Sequence, residues 1–374
     1  MIHAALSVMD ADVFAAAATP LLEAELVDAL VWSPDVGFGR TLPEWCDALL
    51  DHYAGAGRLS AHGVNYSPFS AAFTARQKAW LDELATQVTR RRYVRLSEHV
   101  GFTTAGPFDK GAPMPPPWCD ATVDAARTNL ARLADASRGL ALGLENLALA
   151  FSPLDVDAQG PLLHELTKAS SGFVVLDLHN LHCQAVNFGR DPLALLASYP
   201  LPRVKEIHVA GGRWSYPVTD PERRAFRRDT HDGAVPDRVF ALLDVALAHC
   251  PAVETVVLEA LPVSLGNEPA RERFRADFRR MREVISAPRT VGLLPPAADA
   301  PAPFAANASA LDAWQIAMLD RFHQGADPES LAASVAADPA HAAFAAYLRT
   351  TEPRALETAV ELAGTWGHRA GDPG

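Results

Sequence analysis

The sequence predicts an α/β chain folded as a TIM (β/α)8 barrel with a small helical appendage behind it. Short β-prone or apolar runs recur between longer stretches of helical periodicity. Nitrogen and oxygen donors gather at or just after the ends of those runs, where a barrel would bring them to one mouth. A Pro/Ala-rich stretch late in the chain then breaks the pattern.

The strand candidates are residues 2–8, 29–32, 59–64, 93–97, 140–144, 173–178, 204–209 and 255–258. Each is followed by a plausible helix, as β/α units require. In residues 71–91, Phe73, Trp80, Leu84 and Val88 recur at helical spacing, and in residues 122–138 Val123, Ala126, Leu130 and Leu133 do the same. One face of each helix can therefore cover a barrel. Residues 12–30 are Ala-rich and read equally as one helix or two. After Ser286, Pro288, Pro295, Pro296, Pro301 and Pro303 can neither continue a helix nor pair as an inner strand. The expected division is a barrel over 1–287, a linker over 288–307 and a helical unit over 308–374. In that last unit Leu311, Trp314 and Met318 form a contact stripe, for a partner or for the outside of the barrel.

Composition excludes several classes. The chain has 374 residues, 49% of them hydrophobic, which suffices for a large core, and a net charge of −12. Its basic clusters are short (Arg90 to Arg92, and Arg223 and Arg224 with Arg227 and Arg228) and read as solvated faces, so nucleic acid is not an expected partner. Cys46, Cys119, Cys183 and Cys250 lie far apart without a C-x-x-C pair, which indicates neither a zinc knuckle nor a disulfide framework. No apolar run approaches the roughly 20 residues of a membrane span. The start Met1-Ile2-His3-Ala4 lacks the basic region of a secretion signal, and a cytoplasmic protein is expected.

His62, His99, Glu145, Asp177, Asn180, His208, Asp229, His231 and Glu259 each end a predicted strand or open the loop after it. A single His beside a strand end is more often a hydrogen-bonded structural residue than a ligand; the repetition at one end of successive strands is what points to a metal. Imidazole with carboxylate and no thiolate suits iron, zinc or manganese. A single catalytic zinc takes about three protein ligands, so this set implies two or three ions with a bridging carboxylate, for which Glu145 is the candidate. His52, His164, His249, His323, His341 and His368 fall in predicted helices or the tail and receive no role. Cys183, beside His182, reads as a small buried thiol. The Gly- and Pro-rich loop 101–118 is a candidate lid.

These residues also carry a resemblance. Ser97-Glu98-His99-Val100-Gly101-Phe102, Leu144-Glu145-Asn146, Leu176-Asp177-Leu178-His179-Asn180, Glu206-Ile207-His208-Val209-Ala210-Gly211 and Asp229-Thr230-His231 resemble, in order, the motifs of the DUF692 family. These are the multinuclear non-heme iron-dependent oxidative enzymes (MNIO). The resemblance implies a barrel holding two or three irons of mixed Fe(II)/Fe(III) valence. It implies that dioxygen is the co-substrate, and that a residue, often cysteine, of a ribosomally made precursor peptide is modified, commonly with a separate recognition protein. Carried over by position, His62, His99 and Glu145 resemble the ligands of one iron. Glu145, Asn180, His208 and Glu259 resemble those of its neighbour and form the implied catalytic set. Asp177, Asp229 and His231 resemble residues that complete a third site or surround the first two.

The chain departs from the family pattern near this site. Asn187-Phe188-Gly189 stands where Asn-His-Gly is common, Ala210-Gly211-Gly212 where Ala-Gly-His is common, and no Asp follows Glu259. Donors for a third ion are thereby removed, and His179 and His182 either replace them or line the pocket. Two other readings stay open. A divalent-metal hydrolase or isomerase of the xylose isomerase or endonuclease IV type would hold zinc, manganese or magnesium and need no oxygen. A non-catalytic peptide-binding protein would hold little metal.

Overall fold

The computed structural model describes residues 1–168, 172–215, 225–297 and 299–369, apart from the side chain of Lys110. Eight parallel strands close a barrel: β1 (His3–Val8), β2 (Ala29–Trp32), β3 (Leu59–His62), β4 (Leu96–His99), β5 (Leu142–Glu145), β6 (Phe173–Asp177), β7 (Val204–Val209) and β8 (Thr255–Leu258). Each strand pairs with its neighbours in sequence, and β1 closes the ring on β8 with His3 opposite Thr255. The fold is therefore a TIM barrel, as the alternation predicts. Among the described residues no helix is long and apolar enough to cross a membrane.

Most strands lie within two residues of their expected limits. Two of the shifts have one cause. β4 runs to His99 and β5 to Glu145, so the ligand candidates belong to the strands themselves. An apolar run marks where a strand is buried; the backbone ladder continues past it into the polar mouth. The ambiguous first unit resolves into one helix, Asp12–Glu23, followed by β2. Its buried face is Phe14, Ala17, Ala18 and Leu21, at helical spacing.

Capping residues fix where the helices start. Thr74 and Gln77 form a reciprocal capping box at helix Ala75–Arg90, leaving Phe73 outside it, 37% exposed and covered by the Arg132 guanidinium at 4.1 Å. Asp177 ends β6 and caps helix Leu178–Phe188, its Oδ1 accepting from the Asn180 amide at 2.5 Å. Glycine at 143 leaves room for the Phe173 ring, 2.4 Å from where a Cβ would stand. Not all the arginines of the short clusters are solvated: Arg91 is buried and bonded to Asp47 and Asp51, and Arg227 is buried beneath Trp214. Arg223 and Arg224 lie outside the described residues.

The barrel's last helix is Glu268–Ser286. The described residues of 287–307 form no helix, yet the stretch is docked: Phe304 exchanges backbone hydrogen bonds with Trp118 and Asp120, and Trp118 Nε1 donates to Pro301 O at 2.8 Å. Helices Ala308–His323, Pro328–Ala336 and Pro353–Trp366 follow. Leu311, Trp314 and Met318 are wholly buried, with Trp314 against Phe102 and Phe344. The stripe is used inside the molecule, and Gln315 ties it to Phe69 O and the Ala71 amide. Loop 101–118 is anchored as well, since Phe102, Phe108 and Met114 are buried.

Candidate metal centre

Strand register places the donors. In parallel neighbours, residues opposite each other face the same side of the sheet. His99 lies opposite Glu145, Asp177 opposite His208, and His62 opposite Ser97. All point into the barrel at its C-terminal end, so donors far apart in sequence form one layer.

At its centre is Glu145, with a side chain 2% exposed. Its Oε2 lies 2.9 Å from His62 Nε2 and 3.2 Å from His99 Nε2, and its Oε1 lies 3.3 Å from His208 Nδ1. Two overlapping groups result: His62, His99 and Glu145, and Glu145, Asp177, His208 and Glu259, each with ligand atoms within 4.8 Å of one another. Asn180 belongs beside the second, its Nδ2 donating to Asn146 O at 2.8 Å while its Oδ1 is buried without a partner.

The chemistry of the donors fits cations. Glu145 Oε2, Asp177 Oδ2, Asn180 Oδ1 and His208 Nδ1 are buried atoms without a hydrogen-bond partner, although imidazole and carboxylate stand at ion-pair distance. Such atoms are costly unless something coordinates them. The imidazoles are also tied at their far nitrogens. His62 Nδ1 is 2.8 Å from Ser97 Oγ, His99 Nδ1 is 3.2 Å from Gly63 O, and His208 Nε2 is 3.0 Å from Glu206 Oε1. Each ring thus turns its other nitrogen toward Glu145, the arrangement that sets tautomer and orientation in metal-binding histidines.

Proton affinities show the same crowding. Burial, then Asp229, Glu145 and Glu259, pushes the Asp177 carboxyl well up, while burial of Glu145 is outweighed by His99, His208 and His62, which hold it well down. Burial opposes the charge of His208, yet Glu259 and Glu145 raise it well above the ordinary imidazole range. A cation in this layer would displace those protons.

Asp229 and His231 sit to one side, Asp229 Oδ2 2.7 Å from His231 Nε2, which is 3.7 Å from Glu259 Oε2. His231 adopts a left-handed backbone, φ 49°, held by the Leu261 amide on its carbonyl. Such backbone costs about 1–3 kcal/mol and concentrates at functional sites. His179 is spent on Asp229: its Nδ1 lies 2.7 Å from Asp229 Oδ1 and its Nε2 accepts from Arg227 at 3.2 Å. A Cβ at Gly212 would stand 2.9 Å from the His179 ring and 2.2 Å from Arg228 O, so the imidazole of position 179 fills the space a side chain at 212 would need. His182 is buried near His179, with burial pushing its pKa down to about 4. Phe188 packs edge-on against Phe226. Cys183 is a buried thiol 3.9 Å from His179, pushed well up by burial.

Sequence reasoning missed three groups. Ser97 and Glu206 each lie two residues before a ligand candidate on the same strand, so the period of two could have found them. Asn146 cross-links β5 to β6 through Asp177 O and N at 2.9 and 2.7 Å. The third group is the far wall of the cleft above the donors, formed by Thr358, Leu362, Thr365 and Trp366 of helix Pro353–Trp366 and by His368. No short-range signal marks them.

Fold and site together define a barrel protein with a buried imidazole–carboxylate cluster that could hold a metal ion. The profile described as RiPP precursor modification enzyme MbnB/TglH/ChrH, of the DUF692 family, matches residues 40–281, and the chain belongs to that family. It is 29% identical over 223 residues to a UPF0276 protein of Caulobacter vibrioides, covering 59% of this chain and 74% of that one. A UPF0276 protein of Chromobacterium violaceum is 31% identical over 195 residues, 52% of this chain and 66% of that one. Among solved structures, endonuclease IV from Thermus thermophilus superposes with a TM-score of 0.48 at 16% identity, over 76% of this chain and 98% of that one. A D-tagatose 3-epimerase-like protein gives 0.47 at 11%, over 76% and 98%. Likeness at that level carries no functional information.

Proposed function

We propose that this chain is an iron- and dioxygen-dependent oxidoreductase that modifies a residue, cysteine being the leading candidate, of a ribosomally made precursor peptide. The observation that supports it is the position of Glu145, a buried carboxylate shared by two donor groups, in a member of a family of RiPP precursor modification enzymes. Residues 1–287 would be the catalytic barrel, 288–307 the linker and 308–374 the helical unit.

His62, His99 and Glu145 would hold one iron, and Glu145, Asn180, His208 and Glu259 the second, with Asp177 beside it. Bound iron would supply Lewis acidity toward a substrate thiol and the redox capacity to use dioxygen. The chain's own residues do the rest. Ser97, the Gly63 carbonyl and Glu206 fix the three imidazoles. Burial of Glu145, Asp177 and His208 excludes water from the layer beneath the reacting atom. His99 and His231, each 21% exposed at the side chain, face the cleft by which a substrate enters. Asp229 joins His231 to His179 and so keeps that rim in place. We assign Asp229 and His231 to completing a third site or to supporting the other two.

The test is the metal content, with optical and EPR spectra, of protein from iron-supplemented cells, followed by oxygen uptake with peptide. Two or more irons per chain and peptide-dependent uptake are expected. Zinc or manganese alone would replace this proposal with a hydrolase or isomerase, and near-absence of metal with a binding protein.

A further inference from the structure

A cleft of about 760 Å³ opens above the metal centre, with His99, Asn180, Asp229 and His231 at its inner end. Its size is that of a site for a small molecule or a few residues of extended chain, a class spanning roughly 300–1,000 Å³. The inner end comes from the part of the chain that matches the family, residues 40–281. Much of the outer wall does not. Thr358, Leu362, Thr365 and Trp366 are spaced so that they share one face of helix Pro353–Trp366, and that face lines the cleft.

This wall is built and held. Arg228, next to Asp229, pairs with Glu361 at 2.6 Å, which joins the helix to the loop carrying Asp229 and His231. Beyond the helix, His368–Arg369 pairs antiparallel with Phe108–Lys110, so loop 101–118 and the end of the appendage meet beside the cleft. The wall also exposes apolar surface that the fold does not use: Trp366 is 59% exposed and Val263, on the loop after β8, 74%. Large apolar side chains left open at the entrance to a polar, metal-fitting interior suit a ligand with an apolar group outside and a reacting group inside.

We propose that Leu362, Thr365 and Trp366, with Val263 on the other lip, form the specificity wall for an extended peptide, seating an apolar side chain that flanks the residue delivered to the metal centre. This rests on the peptide-modifying function proposed above. Asn180 and His99 line the same continuous cleft as this helix, so a ligand whose reacting atom reaches them can lie along it. The helix side of the wall, Leu362, Thr365 and Trp366, lies outside the segment shared with the family, so it is where this chain would select its own substrate without altering the donors.

The test is anaerobic selection of displayed, random short linear peptides on the iron-loaded full chain, comparing wild type with Trp366→Ala and with Thr365→Arg, which fills the same face from another exposed position. Val94→Ala, an exposed apolar position just before β4 at the barrel's other end, is the control. Iron content and far-UV circular dichroism are expected to be equal in all four. Wild type and Val94→Ala are expected to enrich an apolar residue at one position, and both wall variants to bind the selected peptides about tenfold more weakly, as loss of an aromatic anchor does. Identical selection and affinity in wild type and both wall variants would overturn the wall while leaving the peptide function standing. If wild type selects no peptide, the peptide function itself falls and the wall with it.

Discussion

Glu206→Gln tests the centre without touching any proposed ligand. Glu206 Oε1 lies 3.0 Å from His208 Nε2, and that contact leaves His208 Nδ1 facing Glu145 and Glu259 at 3.3 and 3.5 Å. A hydrogen bond to a charged acceptor contributes about 1.5–3 kcal/mol and a neutral one about 0.5–1.5 kcal/mol. The substitution therefore removes about 1–1.5 kcal/mol of orienting energy, or roughly five- to tenfold in affinity. Glutamine can also turn its NH2 toward Nε2, which would move the imidazole proton to Nδ1 and remove the ligand lone pair. That extends the expected loss of metal affinity to about 10–100-fold, the range for residues that orient metal-bound histidines. The fold should be nearly unaffected, because Gln is isosteric and Arg95, 4.0 Å from Glu206, keeps Glu254 at 3.1 Å. The assay is competition for Fe(II) against a chelator of known affinity, alongside thermal unfolding of the apoprotein. Unchanged iron affinity would refute the claim that Glu206 sets the tautomer of His208.

Three further outcomes are expected. Glu145→Gln should release both ions, since one carboxylate serves both donor groups, with an unchanged far-UV circular dichroism spectrum because mouth residues contribute little to barrel stability; retention of two metals per chain would refute the shared role. Burial pushes the Asp155 carboxyl up to about 7 from an ordinary 3.8, against hydrogen bonds from Tyr347, Phe151 and Ser152. The folded state thus holds a proton that the unfolded chain has released, so this contribution is fully present below pH 4 and is lost as pH rises toward 7 and beyond, by up to about 4 kcal/mol. Urea unfolding of Asp155→Asn should therefore show a flatter pH dependence than wild type, and equal slopes would contradict the shift. Trp314→Ala empties a fully buried site between Phe102 and Phe344 and should cost about 3–5 kcal/mol, read as earlier proteolysis of residues 308–369; unchanged proteolysis would show that the appendage does not depend on this contact.

Much of the barrel was legible because its units are local. The strands at 29–32, 204–209 and 255–258 were readable to the residue, the first and last because each is a short apolar run ended by a polar residue. The ends of β4 and β5 were not, because His99 and Glu145 are polar residues held in strand conformation by neighbouring strands. The same holds for the stripe of Leu311, Trp314 and Met318. Its periodicity announced a buried face, but what covers that face depends on Phe102 and Phe344, which are remote or unremarkable in sequence.

The sequence by itself determined that donors would collect at the ends of successive β/α strands, because alternation in a strand and the sense of a parallel barrel leave them one common mouth. Only the tertiary structure decided which donors meet. Register sets His99 beside Glu145 and Asp177 beside His208. Packing commits His179 to Asp229 in the space beside Gly212. Trp366 reaches the cleft over Asn180 because a docked helix carries it there. These are relations between residues tens to hundreds of positions apart; local periodicity holds no information about such distances, and closure of the barrel and burial of the appendage supply it.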